Sequence, residues 1–209
     1  MKEFDAKTYK DGKGDFNNED ENLLVSFLKE KENLGKILDV GCGDGKLTKR
    51  IKDQFPDTEI IAIDNSPDQV SMATAEPNNI DFKLADITSF NSKDKFDYAY
   101  SFYAFPHIPK SKLLKALKSV KNLLKEGGKF YLFVNICLFN TSLATPEERE
   151  ACDIVFLNNW PSQINLVTIE EMRDMFKTAG FQEIKDQKLT TGAKIKNYGD
   201  MISWVFVLK

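Results

Sequence analysis

The sequence predicts an α/β fold, a doubly wound sheet that is mostly parallel and covered by helices on both faces. Three observations predict it. Short apolar runs rich in Ile and Val alternate along the chain with stretches whose apolar residues recur three to four apart. That alternation calls for crossover connections, which lay helices on both faces of a parallel sheet. Between residues 190 and 200 no crossover helix fits, so the final strand is expected to run antiparallel. A chain of 209 residues, 42% of them hydrophobic, buries one good-sized core, and a single domain over residues 1–209 is expected.

The elements follow in order. Residues 1–17 hold Gly12, Gly14 and scattered aromatics, too little periodic apolar surface to nucleate structure. They predict a mobile arm, with Tyr9 and Phe16 as the side chains that would pack over a ligand. Asn17 or Asn18 can cap a helix whose first turn holds Glu19, Asp20 and Glu21, where the helix dipole favours acids, and whose stripe is Leu23, Leu24, Phe27 and Leu28. In KILDVGCGDGKLT, from Lys36 to Thr48, Ile37, Leu38 and Val40 form a buried strand. Gly41, Gly43 and Gly45 make a tight turn, and Leu47, Ile51 and Phe55 begin a helix.

A second strand, Ile60 to Ile63, ends at Asp64, and Ser66-Pro67-Asp68-Gln69 opens a helix that Pro77 stops. A third, Ile80 to Ala85, ends at Asp86, and a fourth spans Tyr98 to Phe102. Ser111 is placed to cap a helix carrying Leu113, Leu114, Leu117, Val120 and Leu124, with Gly127 and Gly128 as its stop and a fifth strand from Lys129 to Asn135. Residues 138–166 break the rhythm with Pro146 and Pro161. They predict an inserted segment over the site, with a short helix from Pro146 to Phe156. Thr168 and Glu171 form a capping box, stapled by Val167 and Met172, on a helix that Gly180 ends. Phe181 to Lys188 and Met201 to Lys209 are the last two strands.

Charge and cysteine usage narrow the class. A net charge of −3 and a pI near 5.4 provide no cationic field for a nucleic-acid backbone, so a small molecule is the expected partner. Cys42, Cys137 and Cys152 show no metal-binding or redox spacing, and no metal is expected. The polar N-terminus and the lack of any apolar run of the ~18 residues that span a bilayer predict a cytoplasmic protein without a membrane partner, monomeric or homodimeric.

The glycine turn carries the chemistry. Glycines admit positive φ and bring backbone close to a ligand, while the amides at the start of the next helix are unpaired donors. A dinucleotide fingerprint needs its third glycine at position 46, which is Lys46, and this disfavours a nicotinamide oxidoreductase. The turn reads D-x-G-x-G-x-G over Asp39, Gly41, Gly43 and Gly45. With Asp64, Asp86 and Ser101 at successive strand ends, and the GGKFYLFV and MFKTAGFQEI stretches, the chain from about Leu23 to Lys209 resembles the class I S-adenosylmethionine (SAM) dependent methyltransferases.

The resemblance implies a seven-stranded Rossmann-like sheet and SAM as cofactor, with S-adenosylhomocysteine as product. It places Gly41 and Gly43 against the amino-acid moiety, Asp64 on both ribose hydroxyls, Asp86 on the adenine amino group and the Ile87 backbone on an adenine ring nitrogen. Cys42, Asn65 and Ser101 adjoin them in the cofactor set. Asp39 is either an internal partner for loop amides or the partner of the cofactor's ammonium.

The acceptor is expected to be a small molecule methylated on oxygen or nitrogen. After the fourth strand the chain has Ser101-Phe102-Tyr103-Ala104, lacking the Pro-Pro-aromatic motif of nucleobase methyltransferases. Then comes Phe105-Pro106-His107-Ile108-Pro109, in which His107 is the only histidine. It is a candidate base, a candidate clamp for a carboxylate, or a polar plug in a proline-bounded turn. Tyr103 and Trp160 complete the candidate acceptor residues. A SAM-binding protein of this fold without methyl transfer is the alternative, because fold does not fix chemistry.

Overall fold

The structure, a computed structural model, describes residues 18–75, 77–137, 153–157, 160–164, 167–195 and 199–209. In chain order the elements are α1 (Asn18–Lys29), β1 (Lys36–Val40), α2 (Lys46–Gln54), β2 (Glu59–Asp64), α3 (Pro67–Ala73), β3 (Asp81–Leu84) and β4 (Phe96–Phe102). A 3-10 turn over Phe105–His107 leads to α4 (Lys110–Leu123), β5 (Leu124–Cys137), β6 (Asp153–Leu157), β7 (Trp160–Ile164), α5 (Ile169–Ala179), β8 (Glu183–Ile195) and β9 (Gly199–Leu208).

Seven strands form one sheet in the order β3-β2-β1-β4-β5-β9-β8. β1 pairs in parallel with both β2 and β4, while β9 lies antiparallel between β5 and β8. The strand order reverses between β1 and β4, which in a doubly wound sheet opens a crevice at the carboxyl ends of those strands. Alternating side chains send Leu38, Val40, Ile61 and Ile63 to one face, under α4 and α5. Ile37 and Ile60 go to the other, under α1 and α2. Each fully buried aliphatic side chain contributes roughly 1.5–3 kcal/mol, so this alternation fixes both strand register and helix placement.

Local signals set several boundaries where expected. Ser66 caps α3, its side chain accepting from the Gln69 N–H, with Pro67 in the first turn. Thr168 and Glu171 form the full capping box of α5, and Gly180 ends that helix in the left-handed conformation.

Four expectations are corrected. Ser111 does not cap α4: Pro109 holds the cap position and the helix starts at Lys110. Gly127 and Gly128 do not stop α4, which ends at Leu123; they sit inside β5, where the register with β4 jumps from Phe96↔Leu124 to Tyr98↔Lys129. Gly127 has φ of 74° there, and a Cβ on Gly128 would lie 3.0–3.1 Å from three backbone oxygens, so the glycines build a bulge. The helix expected from Pro146 to Phe156 gives way at its end to β6, because Ile154, Val155 and Phe156 favour a strand and pair with β7; its earlier residues lie outside the described ones. Residues 190–195, expected as loop, continue β8, with Thr191 paired to Ile202. The arm over residues 1–17, with Tyr9 and Phe16, lies outside the described residues.

Candidate functional site

The crevice begins at the turn after β1. Gly41, Gly43 and Gly45 all have positive φ, and the Gly41 and Cys42 N–H groups both donate to the Ile63 carbonyl, at 2.8 and 3.0 Å. This fastens the turn to β2. A Cβ at Gly41 would fall 2.2 Å from the Ala104 Cβ, so only glycine lets the β1 turn touch the turn after β4. Gly43 differs: the nearest atom to an added Cβ is Gln69 Oε1 at 3.8 Å, so its outer side faces open space.

Asp64, at the end of β2, ties the turn to α3. Its Oδ2 accepts from the Gly43 N–H and its Oδ1 from the Ser66 N–H, both at 2.9 Å. Each oxygen keeps a second lone pair for another donor. Asn65 beside it is exposed. After β3, Asp86 accepts from the Thr88 N–H at 2.8 Å, closing a short turn, and holds Ile87 buried with no described acceptor for the Ile87 N–H. Ser101, near the end of β4, is fully buried, and its hydroxyl has no partner among the described residues.

Beneath the glycine turn lies an arrangement that the sequence reading did not anticipate. Asp39 is 2% exposed, and its Oδ2 accepts hydrogen bonds from the hydroxyls of Thr48 and Tyr100, both at 2.6 Å. Side-chain hydroxyls, in place of loop amides, therefore hold this carboxylate. Burial pushes its pKa up to about 7 against the two hydrogen bonds, and Asp64 nearby adds to the rise. Thr48 sits one turn into α2, and Tyr100 stands opposite Asp39 in the β1–β4 register. Only that register links two residues so far apart in sequence. Cys42 is an intermediate-burial thiol whose pKa burial and the Asp39 and Asp64 charges push up, so it remains neutral and unreactive.

Toward β5, Tyr103 adopts φ of 58°, rare for a residue with a side chain. Its N–H donates to the Phe133 carbonyl at 2.9 Å, and its buried hydroxyl donates to Asp20 of α1. The Tyr103 hydroxyl thus joins α1 to the edge of the site. His107 is exposed at the end of the 3-10 turn. Trp160 opens β7, a strand that lies against that turn while its hairpin partner β6 approaches β8. Among the described residues no group of three or more potential metal ligands occurs, and no helix is long and apolar enough to cross a membrane.

Comparison with known proteins gives this geometry a family. Residues 37–128 match the family described as "Methyltransferase domain". The malonyl-[acyl-carrier protein] O-methyltransferase of Acetivibrio thermocellus is 35% identical over 106 residues, covering 47% of this chain and 38% of that protein. The sterol 24-C-methyltransferase erg6 of Aspergillus fumigatus is 29% identical over 195 residues, covering 90% of this chain and 48% of that protein. The chain thus spans less than half the length of either relative. The crystal structure of the PH0226 protein from Pyrococcus horikoshii OT3 shares the fold, with a TM-score of 0.73 at 20% identity over 95% of this chain and 92% of that one. The family match runs from β1 through the D-x-G-x-G-x-G turn to the bulge in β5, so residues 37–128 carry the match to a methyltransferase domain, and the relatives and the fold fit a class I SAM-dependent methyltransferase with SAM as cofactor.

Proposed function

We propose that the chain transfers the methyl group of SAM to an oxygen or nitrogen of a small-molecule acceptor by in-line displacement. One observation carries the cofactor side. Asp64 is fixed by a backbone amide on each oxygen, at the junction of the glycine turn and α3, and each oxygen has a lone pair left. That is the chemistry a vicinal diol such as the SAM ribose requires. The open side of Gly43 suits the amino-acid moiety, and the Ile87 N–H, which has no acceptor among the described residues, suits the adenine edge with Asp86 beside it. Asp39, anchored through Oδ2, has Oδ1 to offer the ammonium. Cys42, Asn65 and Ser101 line the same crevice in this reading.

SAM supplies a methyl group on a sulfonium, so the protein's part is to align the acceptor and exclude water. The acceptor side lies between the turn after β4, with Tyr103 and His107, and the β6–β7 hairpin that begins β7 at Trp160. Tyr9 and Phe16 of the arm are assigned to closing that side. Of the two relatives, one is named for methylation on oxygen and the other on carbon. An oxygen or nitrogen acceptor arrives with its own lone pair. A carboxylate needs no base, and a hydroxyl or ammonium would use His107.

Calorimetry with SAM, S-adenosylhomocysteine and NAD tests the cofactor side, with binding of the first two and none of NAD expected. Labelled SAM incubated with a metabolite extract tests transfer. Tighter binding of NAD than of S-adenosylhomocysteine, or label appearing on carbon, overturns the corresponding half of the proposal. Binding without any labelled product would establish the non-transferring alternative.

A further inference from the structure

Tyr100 carries a hydroxyl into a layer that packing alone would fill with phenylalanine. It is fully buried on the side of the sheet under α1 and α2, in one apolar cluster with Ile37, Tyr131, Phe133 and Val205. The β1–β4 register sets it opposite Asp39, and α2 brings its third residue, the fully buried Thr48, to the same carboxylate. Both hydroxyls donate to one oxygen, Oδ2.

Stability does not account for this arrangement. A buried carboxylate is costly, and burial raises the pKa of Asp39 against both hydrogen bonds, so the two donors offset that cost only in part. The other oxygen shows what the pair of hydroxyls serves. Oδ1 has no partner among the described residues, yet it is not one of the sealed, unpaired side-chain atoms there, which are Ser101 Oγ and Trp204 Nε1. The 2% exposure of Asp39 therefore includes Oδ1, at the foot of the glycine turn.

Two donors on Oδ2 also decide where a proton resides. They occupy both lone pairs of that oxygen, so the proton of the neutral carboxyl belongs on Oδ1, the oxygen that faces outward. The titratable groups facing Asp39 are Tyr100 from β4, Cys42 from the turn and Asp64 from β2. Burial keeps the tyrosine and the thiol protonated, and the charge of Asp64 favours the neutral form of Asp39. The Thr48 hydroxyl of α2 does not titrate, Asp44 of the turn is paired with Lys46, and Asp20 of α1 accepts from Tyr103.

We propose that Tyr100, with Thr48, is a positioning residue for cofactor capture: the two hydroxyls pin Asp39 by Oδ2, turn Oδ1 to the crevice, and leave there the proton that the incoming ammonium displaces to solvent. The proposal rests on the cofactor reading above, in which Oδ1 meets that ammonium, and adds what prepares the oxygen for it.

The test is calorimetry of the full chain with S-adenosylhomocysteine from about pH 5.5 to about pH 8.5, in pairs of buffers that differ in ionisation enthalpy. Wild-type affinity should rise through about pH 7 and level off, with about half a proton released per ligand at the midpoint. Tyr100→Phe keeps the ring and removes one donor to the ionised form, so the midpoint should move up by about one pH unit. Affinity near pH 7 would then fall about fivefold and return to within about twofold of wild type by about pH 8.5. Thr48→Val should shift the midpoint the same way, and it decides the matter if Tyr100→Phe does not fold. Asp39→Asn should abolish both the pH dependence and the proton release. Tyr98→Phe, which loses a hydroxyl two residues earlier on the same face of β4, should leave the midpoint in place. Affinity independent of pH, a dependence that survives Asp39→Asn, or a midpoint that ignores Tyr100→Phe and Thr48→Val overturns the proposal and leaves the cofactor reading standing. A wild-type chain that binds no S-adenosylhomocysteine overturns that reading, and the proposal with it.

Discussion

Asp39 shows how one residue couples stability to ligand chemistry. An exposed aspartate titrates near ~3.9, whereas burial holds this one up to about 7. Between those values the folded chain keeps a proton that the unfolded chain has lost, so stability falls as pH rises through the window and levels off above it. Asp39→Asn keeps an oxygen for the Thr48 and Tyr100 hydroxyls and carries no charge. It should melt with wild type at about pH 3.5, below that window, and above it by pH 8, read by thermal denaturation at both. If Oδ1 meets the SAM ammonium, the same variant should lose affinity for S-adenosylhomocysteine, and wild-type affinity should rise with pH through about 7. Asp64 behaves differently, being held by backbone amides at 2.9 Å. Asp64→Ala should weaken SAM binding by about 1.5–3 kcal/mol, the range for a lost charged hydrogen bond. Calorimetry gives that figure, and an unfolded circular-dichroism spectrum would instead make the residue structural.

The β1 turn is an element in which two glycines carry different duties. Gly41→Ala combines φ of 82° with a contact of 2.2 Å to Ala104, so it should cost more than about 2 kcal/mol and lower the melting temperature by several degrees. Gly43→Ala meets nothing nearer than 3.8 Å, so beyond the roughly 1–2 kcal/mol that its φ of 56° imposes on a side chain, its further cost should appear in cofactor affinity. Melting and calorimetry on both variants separate the two. Ser66, Thr168 and Gly180 were legible in the sequence because a cap is written within a few neighbouring residues. Asp64 was legible for a related reason, as a strand-terminal acid, whereas β3 ends at Leu84, two residues before Asp86. Gly127 and Gly128 misled because a glycine pair marks a helix stop and a bulge equally well; the β4–β5 register decides between them. The Asp39–Tyr100 bond was hidden for the same cause, since strand register lies outside any local window.

At the scale of the whole molecule, the sheet divides into a parallel half that forms the crevice and an antiparallel half, β5-β9-β8, that walls one side of it. The β5–β9 pairing continues to Cys137↔Met201, beyond the level at which β4 ends opposite Phe133. The wall therefore rises above the crevice floor. Hydrogen exchange should find the β5–β9 ladder among the slowest regions, with the glycine turn slowing only when S-adenosylhomocysteine is added. The place of β9 governs how the chain is made as well as how it stands. Residues 199–208, synthesised after β8, form the strand between β5 and β8, and Leu208 is fully buried. Until they leave the ribosome, β5 ends the sheet as an open edge, β8 has no strand to pair with, and the hydrophobic layer beneath lacks the side chains of the strand next to the β8 edge. A nascent chain halted before residue 199 should thus be a substrate for chaperones and proteases, and completion of the sheet should follow release of those residues rather than precede it.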